Sequence, residues 1–235
     1  MSSDQAKHEV RDRVWDLLER EKAVREPGVH GHIPDFVGSE RAAELLASLS
    51  GWRSAHVVKA NPDRAQLPVR ARALREGKLV YMAVPRLADE RPFYELNPDR
   101  LPVEVAISKA AEAQAPKVTP NQMRPVDLVL CGSVAVNRRG ARLGKGAGYS
   151  DIEFALAQEA GLIDASTIIA TTVHPLQVLD EPLPEEEHDF RVDLIVTPTE
   201  VIRCAPSRRP SALRLERFAA EKIAAIPVLT KRAPN

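Results

Sequence analysis

The residues with the most chemistry in them lie at 142–151, Arg-Leu-Gly-Lys-Gly-Ala-Gly-Tyr-Ser-Asp. Gly144, Gly146 and Gly148 alternate, Lys145 stands between the first two, and Asp151 closes the run. Alternating glycines permit positive φ and close backbone approach, so successive N–H groups can converge on one anion. The periodicity from residue 152 to 160 predicts a helix directly afterwards, whose amino end would add partial positive charge. With the full charges of Arg142 and Lys145, the stretch reads as a phosphate cradle with a carboxylate placed for a metal. It is neither G-x-x-x-x-G-K-[ST] nor G-x-G-x-x-G, and on the glycines alone a plain surface loop stands beside the cradle as a reading.

Other residues that could serve such a site are scattered. Lys7 and Arg11 are four apart on a predicted helix over residues 4–26, so they share a face: either a solvated edge or a clamp for phosphates. Asp63 follows the short apolar strand 55–59, and Arg86 follows the strand 79–84, which puts both near carboxyl ends of strands, where open α/β sheets bind ligands. Phe93 and Tyr94 fall in a long irregular excursion over residues 88–125, where rings either stack on a planar ligand or pin the loop to the core. Asp189 ends an acidic run at 184–189, and with Asp151 it would make the two carboxylates that Mg²⁺ commonly takes beside phosphate oxygens. His30 and His32 lack a third ligand nearby and read as loop. No His is placed to activate Cys131, and Ser133 is not in G-x-S-x-G, so no nucleophile stands out.

The elements that must position these residues are strands alternating with helices: strands at 55–59, 79–84, 127–136, 167–173 and 192–196, and helices at 4–26, 40–50 (with Ser39 as its N-cap), 69–75, 107–115 and 207–223. That alternation implies one α/β domain over residues 1–235 with a mainly parallel sheet, opened by the helix at 1–26 and closed by a helix and tail at 207–235. With 44% apolar and 28% charged residues the chain is ordinarily globular. Its 33 basic against 33 acidic residues give no net field to recruit nucleic acid or a membrane. Arg208, Arg209, Arg214 and Arg217 form a local basic cluster, read as the outer face of a docked helix or as an RNA-contacting tail. Two cysteines at no metal spacing and a polar amino terminus lead to the expectation of a reducing, cytoplasmic setting without a membrane span.

Assembled, these residues resemble the 5-formyltetrahydrofolate cyclo-ligase (5,10-methenyltetrahydrofolate synthetase) family. Its signature, roughly G-R-L-G-R-G-G-G-Y-Y-D-R after an apolar strand, is similar to residues 141–152. Its amino-terminal K-x-x-L-R is similar to Lys7-His8-Glu9-Val10-Arg11, and its late Asp before a V-D strand to Asp189 before Val192-Asp193. The chain departs from the pattern at Ser150 and Ile152, where the family has Tyr and Arg, and at Asp63, which stands where the family's E-x-x-T has Glu. It looks closest to the diverged branch of methenyltetrahydrofolate synthetase domain-containing proteins.

The resemblance implies a three-layer α/β/α fold of the NagB/RpiA/CoA-transferase kind and a ligase of one-carbon folate metabolism. ATP would phosphorylate the formyl oxygen of 5-formyltetrahydrofolate, N10 would attack the activated carbon, and 5,10-methenyltetrahydrofolate, ADP and phosphate would result. It further implies ATP binding by Lys7, Arg11, Arg142, Gly144, Lys145, Gly146 and Gly148, with Lys145 and Arg142 as the catalytic cations. Mg²⁺ would be held by Asp151 and Asp189, and a reduced folate or related amide by Tyr149, with Asp63 and Phe93 alongside. The alternative is a non-catalytic nucleotide- or RNA-binding homologue, drawn from the altered folate positions and the basic tail.

Overall fold

The structure, a computed structural model, describes residues 2–205, 209, 215 and 218–232. The chain opens with α1 (Ser3–Arg20), capped by Ser2, whose side chain accepts the Gln5 N–H. α2 (Ser39–Ala47) and α3 (Ser50–Ser54) follow, then β1 (Val57–Ala60), α4 (Leu67–Arg75) and β2 (Leu79–Ala83). β3 (Phe93–Leu96), α5 (Ser108–Gln114), β4 (Lys117–Val118) and β5 (Leu128–Cys131) come next. A hairpin of β6 (Ala135–Asn137) and β7 (Arg142–Leu143) leads into α6 (Tyr149–Glu159). β8 (Ile168–Thr172), β9 (Val178–Leu179), β10 (Leu194–Val196), β11 (Val201–Arg203), α7 (Ala220–Ala225) and α8 (Pro227–Thr230) complete it. Among the described residues no helix is long and apolar enough to cross a membrane.

Eight strands form one sheet in the order β11-β10-β8-β5-β1-β2-β3-β4. The five central strands are parallel, and β11, β3 and β4 pair antiparallel at the edges. Side chains alternate between the two faces, as a period of two requires. Val58, Ala60, Val80, Met82, Leu128 and Leu130 pack with α1, α2 and α4, whereas Val57, Tyr81, Val129 and Ile195 pack with α6 and α8. Helices on both faces of a mainly parallel sheet make the α/β domain expected from the strand–helix alternation, in the three layers that the family resemblance implies. A second sheet, β7-β6-β9, stands beside the first and carries the glycine stretch.

Several boundaries differ from the sequence reading. The first helix ends at Arg20, not near residue 26. Lys22 takes the left-handed conformation (φ 53°) and Ala23 N–H closes on Leu18 O at 2.8 Å, a Schellman ending without glycine. Ser39 lies inside α2; the cap is Gly38 at φ 90°, and Gly51 falls within α3 instead of ending a helix. The apolar run 127–136 is two strands. The chain leaves the large sheet at Gly132, where an added Cβ would lie 3.0 Å from the Ile33 side chain and 3.2 Å from Asp63 Oδ2. The helix expected over residues 207–223 overlaps the start of α7, which runs on to Ala225 with α8 beyond it; Arg208, Arg214 and Arg217 lie outside the described residues. Arg209 binds Asp164 O, Thr167 O and Asp193 Oδ2 within the fold, so this guanidinium is used structurally.

Candidate functional site

The parallel strands end at one edge of the sheet, and a cleft of ≈ 730 Å³ lies there. Its first wall is the turn Asn61-Pro62-Asp63 after β1. Arg70 of α4, 1% exposed, holds that turn by donating to the carbonyls of Asn61 (2.6 Å), Asp63 (2.9 Å) and Pro62 (3.3 Å). Burial lowers the Arg70 pKa to about 10, which leaves it charged at neutral pH.

The second wall is the β6–β7 hairpin and the loop 144–148. Asn137 shapes the hairpin by accepting the N–H groups of Arg139 and Ala141 on its side-chain oxygen, and Gly140 completes the turn at φ 87°. Beyond β7, Gly146 and Gly148 have φ of 92° and 66°, conformations that side chains rarely adopt. Gly148 is the N-cap of α6, so the helix starts inside the loop with Asp151 in its first turn.

α1 closes a third side. Lys7 and Arg11 do share a face, and it turns to the cleft: Arg11 Nε donates to Gly144 O at 2.7 Å, and Lys7 Nζ meets Asp189 at 2.6 Å and Glu186 at 3.4 Å. An added Cβ at Gly144 would lie 3.1 Å from Arg142 Nη1, and one at Gly146 3.4 Å from Arg11 Cζ, so both glycines let a guanidinium approach the loop.

Arg142 donates to Asp151 Oδ1 at 2.7 Å while its guanidinium lies 3.9 Å over the Phe190 ring, which itself stacks on Phe154 at 4.4 Å. The residue is 7% exposed and its Nε is buried without a hydrogen-bond partner among the described residues. That is an expensive state, which an anionic ligand would relieve. Burial pushes the Asp151 carboxyl above its usual range, Arg142 opposes the shift, and the charge of Asp189 adds to it. Lys145 Nζ reaches across to Asp63 Oδ1 at 3.1 Å, joining the glycine loop to the β1 turn. Glu186, His188 and Asp189 lie with ligating atoms within 4.8 Å of one another, a set able to hold a cation. Asp151 is not in that set.

Of the residues singled out from sequence, Lys7, Arg11, Asp63, Arg142, Gly144, Lys145, Gly146, Gly148, Tyr149, Asp151 and Asp189 line this one cleft. Phe93 does not. It is fully buried in β3, packed beneath the sheet with Tyr81, Leu87 and Val118, so the ring belongs to the core and not to a ligand surface. Its segment, read as an excursion, is the antiparallel edge of the sheet.

Sequence reasoning missed a polar floor. Lys59 of β1 and Glu153 of α6, 2% and 3% exposed, form a buried ion pair. Asn61 donates to Glu153 Oε2 (3.0 Å) and Ser150 Oγ (2.9 Å), and its own Oδ1 is buried without a partner among the described residues. The signal was present: a Lys at the end of the apolar strand 55–59 must be paired or must reach solvent. Ser150, where the family signature has its second Tyr, therefore belongs to this network, and Ile152, where the signature has Arg, is fully buried in the core.

Comparison with known proteins gives these positions a context. A bovine (Bos taurus) methenyltetrahydrofolate synthase domain-containing protein is 34% identical over 95% of this chain, and its mouse (Mus musculus) counterpart is 35% identical over 95%. The chain spans 61% and 62% of the length of these two relatives. The solution structure of Aquifex aeolicus 5,10-methenyltetrahydrofolate synthetase superposes with a TM-score of 0.57 at 22% identity, covering 91% of this chain and 97% of that one, a likeness of fold. The sequence profile of the 5-formyltetrahydrofolate cyclo-ligase family matches residues 3–198, from α1 through β10 and including the whole glycine loop, and on that match the chain belongs to the 5-formyltetrahydrofolate cyclo-ligase family.

Proposed function

We propose that the cleft binds Mg-ATP together with a reduced folate or a related small amide, and that the protein closes 5-formyltetrahydrofolate to 5,10-methenyltetrahydrofolate with release of ADP and phosphate. The observation that carries this reading is the convergence of Arg11, Arg142 and Lys145 on one glycine loop at the amino end of α6. The residues fit the phosphate chain: glycines whose missing side chains let Arg142 and Arg11 come against the loop at Gly144 and Gly146, and a buried guanidinium with an unpaired N–H. They also fit the cation, since Asp151 and Asp189 are carboxylates in one another's field, with Glu186 and His188 beside Asp189. When bound, ATP supplies the phosphoryl group that makes the formyl oxygen a leaving group, and Mg²⁺ offsets its charge.

The chain's own part is positioning and charge. Arg142 and Lys145 face the phosphates; Lys7 and Arg142 hold the two acidic residues in place until a cation competes for them. A cation also offsets the burial that keeps the Asp151 pKa high. Tyr149 and Asp63 stand on the acceptor side, and the Lys145–Asp63 contact puts that side within reach of the phosphate loop. The test is turnover. Purified protein with Mg-ATP and 5-formyltetrahydrofolate should develop methenyl absorbance with equimolar ADP, and Lys145→Met should lower kcat by about a hundredfold or more. Neither product at saturating substrates contradicts the reading.

A further inference from the structure

Lys222 reaches the glycine loop from a part of the chain that the family match, ending at residue 198, does not cover. Its Nζ lies 4.9 Å from the centroid of the Tyr149 ring and 5.1 Å from that of Phe218, and it donates to the carbonyl oxygen of Ala147. Gly148 is what admits it, because a Cβ at that position would stand 2.8 Å from Nζ. Lys222 and Phe218 both line the cleft. The segment is anchored beyond them by Ile226 and Leu229, fully buried against the α6 face of the sheet.

An ammonium has three donors. Among the described residues this one makes a single hydrogen bond, to a neutral carbonyl and not to a carboxylate. Aromatic faces stabilise a cation without using its N–H groups, so Lys222 is held at the loop with donor capacity left over. Burial lowers its pKa, and the field of Asp151 opposes that shift. A partly desolvated cation on the carbonyl between Gly146 and Gly148 gains most from an incoming oxyanion.

We propose that Lys222 is a further phosphate-contacting residue of the nucleotide site, carried to the glycine loop by the segment that follows the family-matched region. This rests on the Mg-ATP reading of the cleft and adds a residue to it. A substrate carboxylate offers a similar oxyanion, but the seat on the loop carbonyl places Lys222 with the phosphates.

Calorimetric titration of wild type, Lys222→Met, Lys222→Gln and Lys222→Arg with Mg-ATP, AMP, inorganic tripolyphosphate and 5-formyltetrahydrofolate tests it. Lys231→Met, which removes an exposed lysine bonded to Glu90, is the control. Removing the charge should weaken Mg-ATP and tripolyphosphate about tenfold, as expected for one charge-assisted contact, and AMP much less. Lys222→Arg should keep most of the affinity and Lys231→Met all of it. Unchanged Mg-ATP binding, an equal loss for every ligand, or a loss confined to 5-formyltetrahydrofolate overturns the assignment. Wild-type protein that binds neither Mg-ATP nor tripolyphosphate would instead remove the nucleotide reading, and this inference with it. Melting temperatures of the two uncharged variants show that each is folded when titrated.

Discussion

The residues of the cleft divide into those held by ion pairs a ligand can displace and those held by pairs it cannot. Arg142–Asp151 and Lys7–Asp189 open to the cleft, with Asp151 keeping 30% of its side chain exposed. Lys59–Glu153 is sealed, at 2% and 4%. Breaking a sealed pair leaves an uncompensated charge, so Lys59→Met should destabilise the fold by about 3–5 kcal/mol. Lys59→Met combined with Glu153→Leu should recover most of that, read as the midpoint of denaturant unfolding. A double variant as unstable as the single one would show that the pair is not an isolated unit. Arg70 behaves similarly through its fork of donors to three successive carbonyls. Arg70→Lys keeps the charge but cannot reproduce the fork, so it should lower the melting temperature and also weaken whatever Asp63 contacts.

At the scale of elements, the site depends on a hairpin, a glycine loop and a helix start that follow one another without a break, from Ala135 to Glu159. Gly148→Ala forces a side chain into φ 66°, at a cost of about 1–2 kcal/mol, and it also displaces Lys222. Mg-ATP affinity should therefore fall by more than the loss of stability alone would suggest, which titration beside a melting curve can separate. A different element supplies a pH dependence. His174 Nδ1 accepts the Leu176 N–H at 3.2 Å and caps the short turn Pro175–Gln177, and burial lowers its pKa. A depressed histidine contributes stability that is full above its ordinary pKa and lost as pH falls through the folded value. Unfolding midpoints should therefore drop below about pH 6.5. His174→Asn, which keeps a capping acceptor without the titration, should flatten that drop; an unchanged pH profile would assign it to other groups.

What the sequence made legible follows the same division. Central strands and the glycine-helix junction were readable because β-branched runs and alternating glycines have local causes. The break at Gly132 was not, since apolar residues continue through it and only Ile33 and Asp63, close in space and distant in sequence, make the glycine necessary. Phe93 was misplaced for the opposite reason: prolines and charges around it look like loop, and only pairing with β2 and β4 makes it an edge strand. Arg70 looks like an ordinary charged position until the Asn61–Asp63 turn is in place, and Lys59, a charge on an apolar strand, calls for a partner without naming Glu153. Lys222 lies beyond every motif that the sequence offered.

Across the whole molecule, the site exists because five parallel strands end at one edge while α1, the β6–β7 hairpin, the Glu186–Asp189 loop and α7 all converge on it. Residues as far apart as Lys7 and Asp189, or Ala147 and Lys222, meet there. Ligand binding that joins so many segments should stabilise the fold as a unit: saturating Mg-ATP, at about a hundred times its Kd, adds about 2.7 kcal/mol, visible as a rise in melting temperature that Arg142→Met abolishes. The most direct test of the proposed nucleotide site is a crystal structure with Mg²⁺ and a non-hydrolysable ATP analogue. The phosphate chain should lie on the loop from Gly144 to Gly148, beside Arg142 and Lys145, with the cation at Asp151 and Asp189. Phosphates bound elsewhere, or a cleft that stays empty at saturating analogue, would contradict the account.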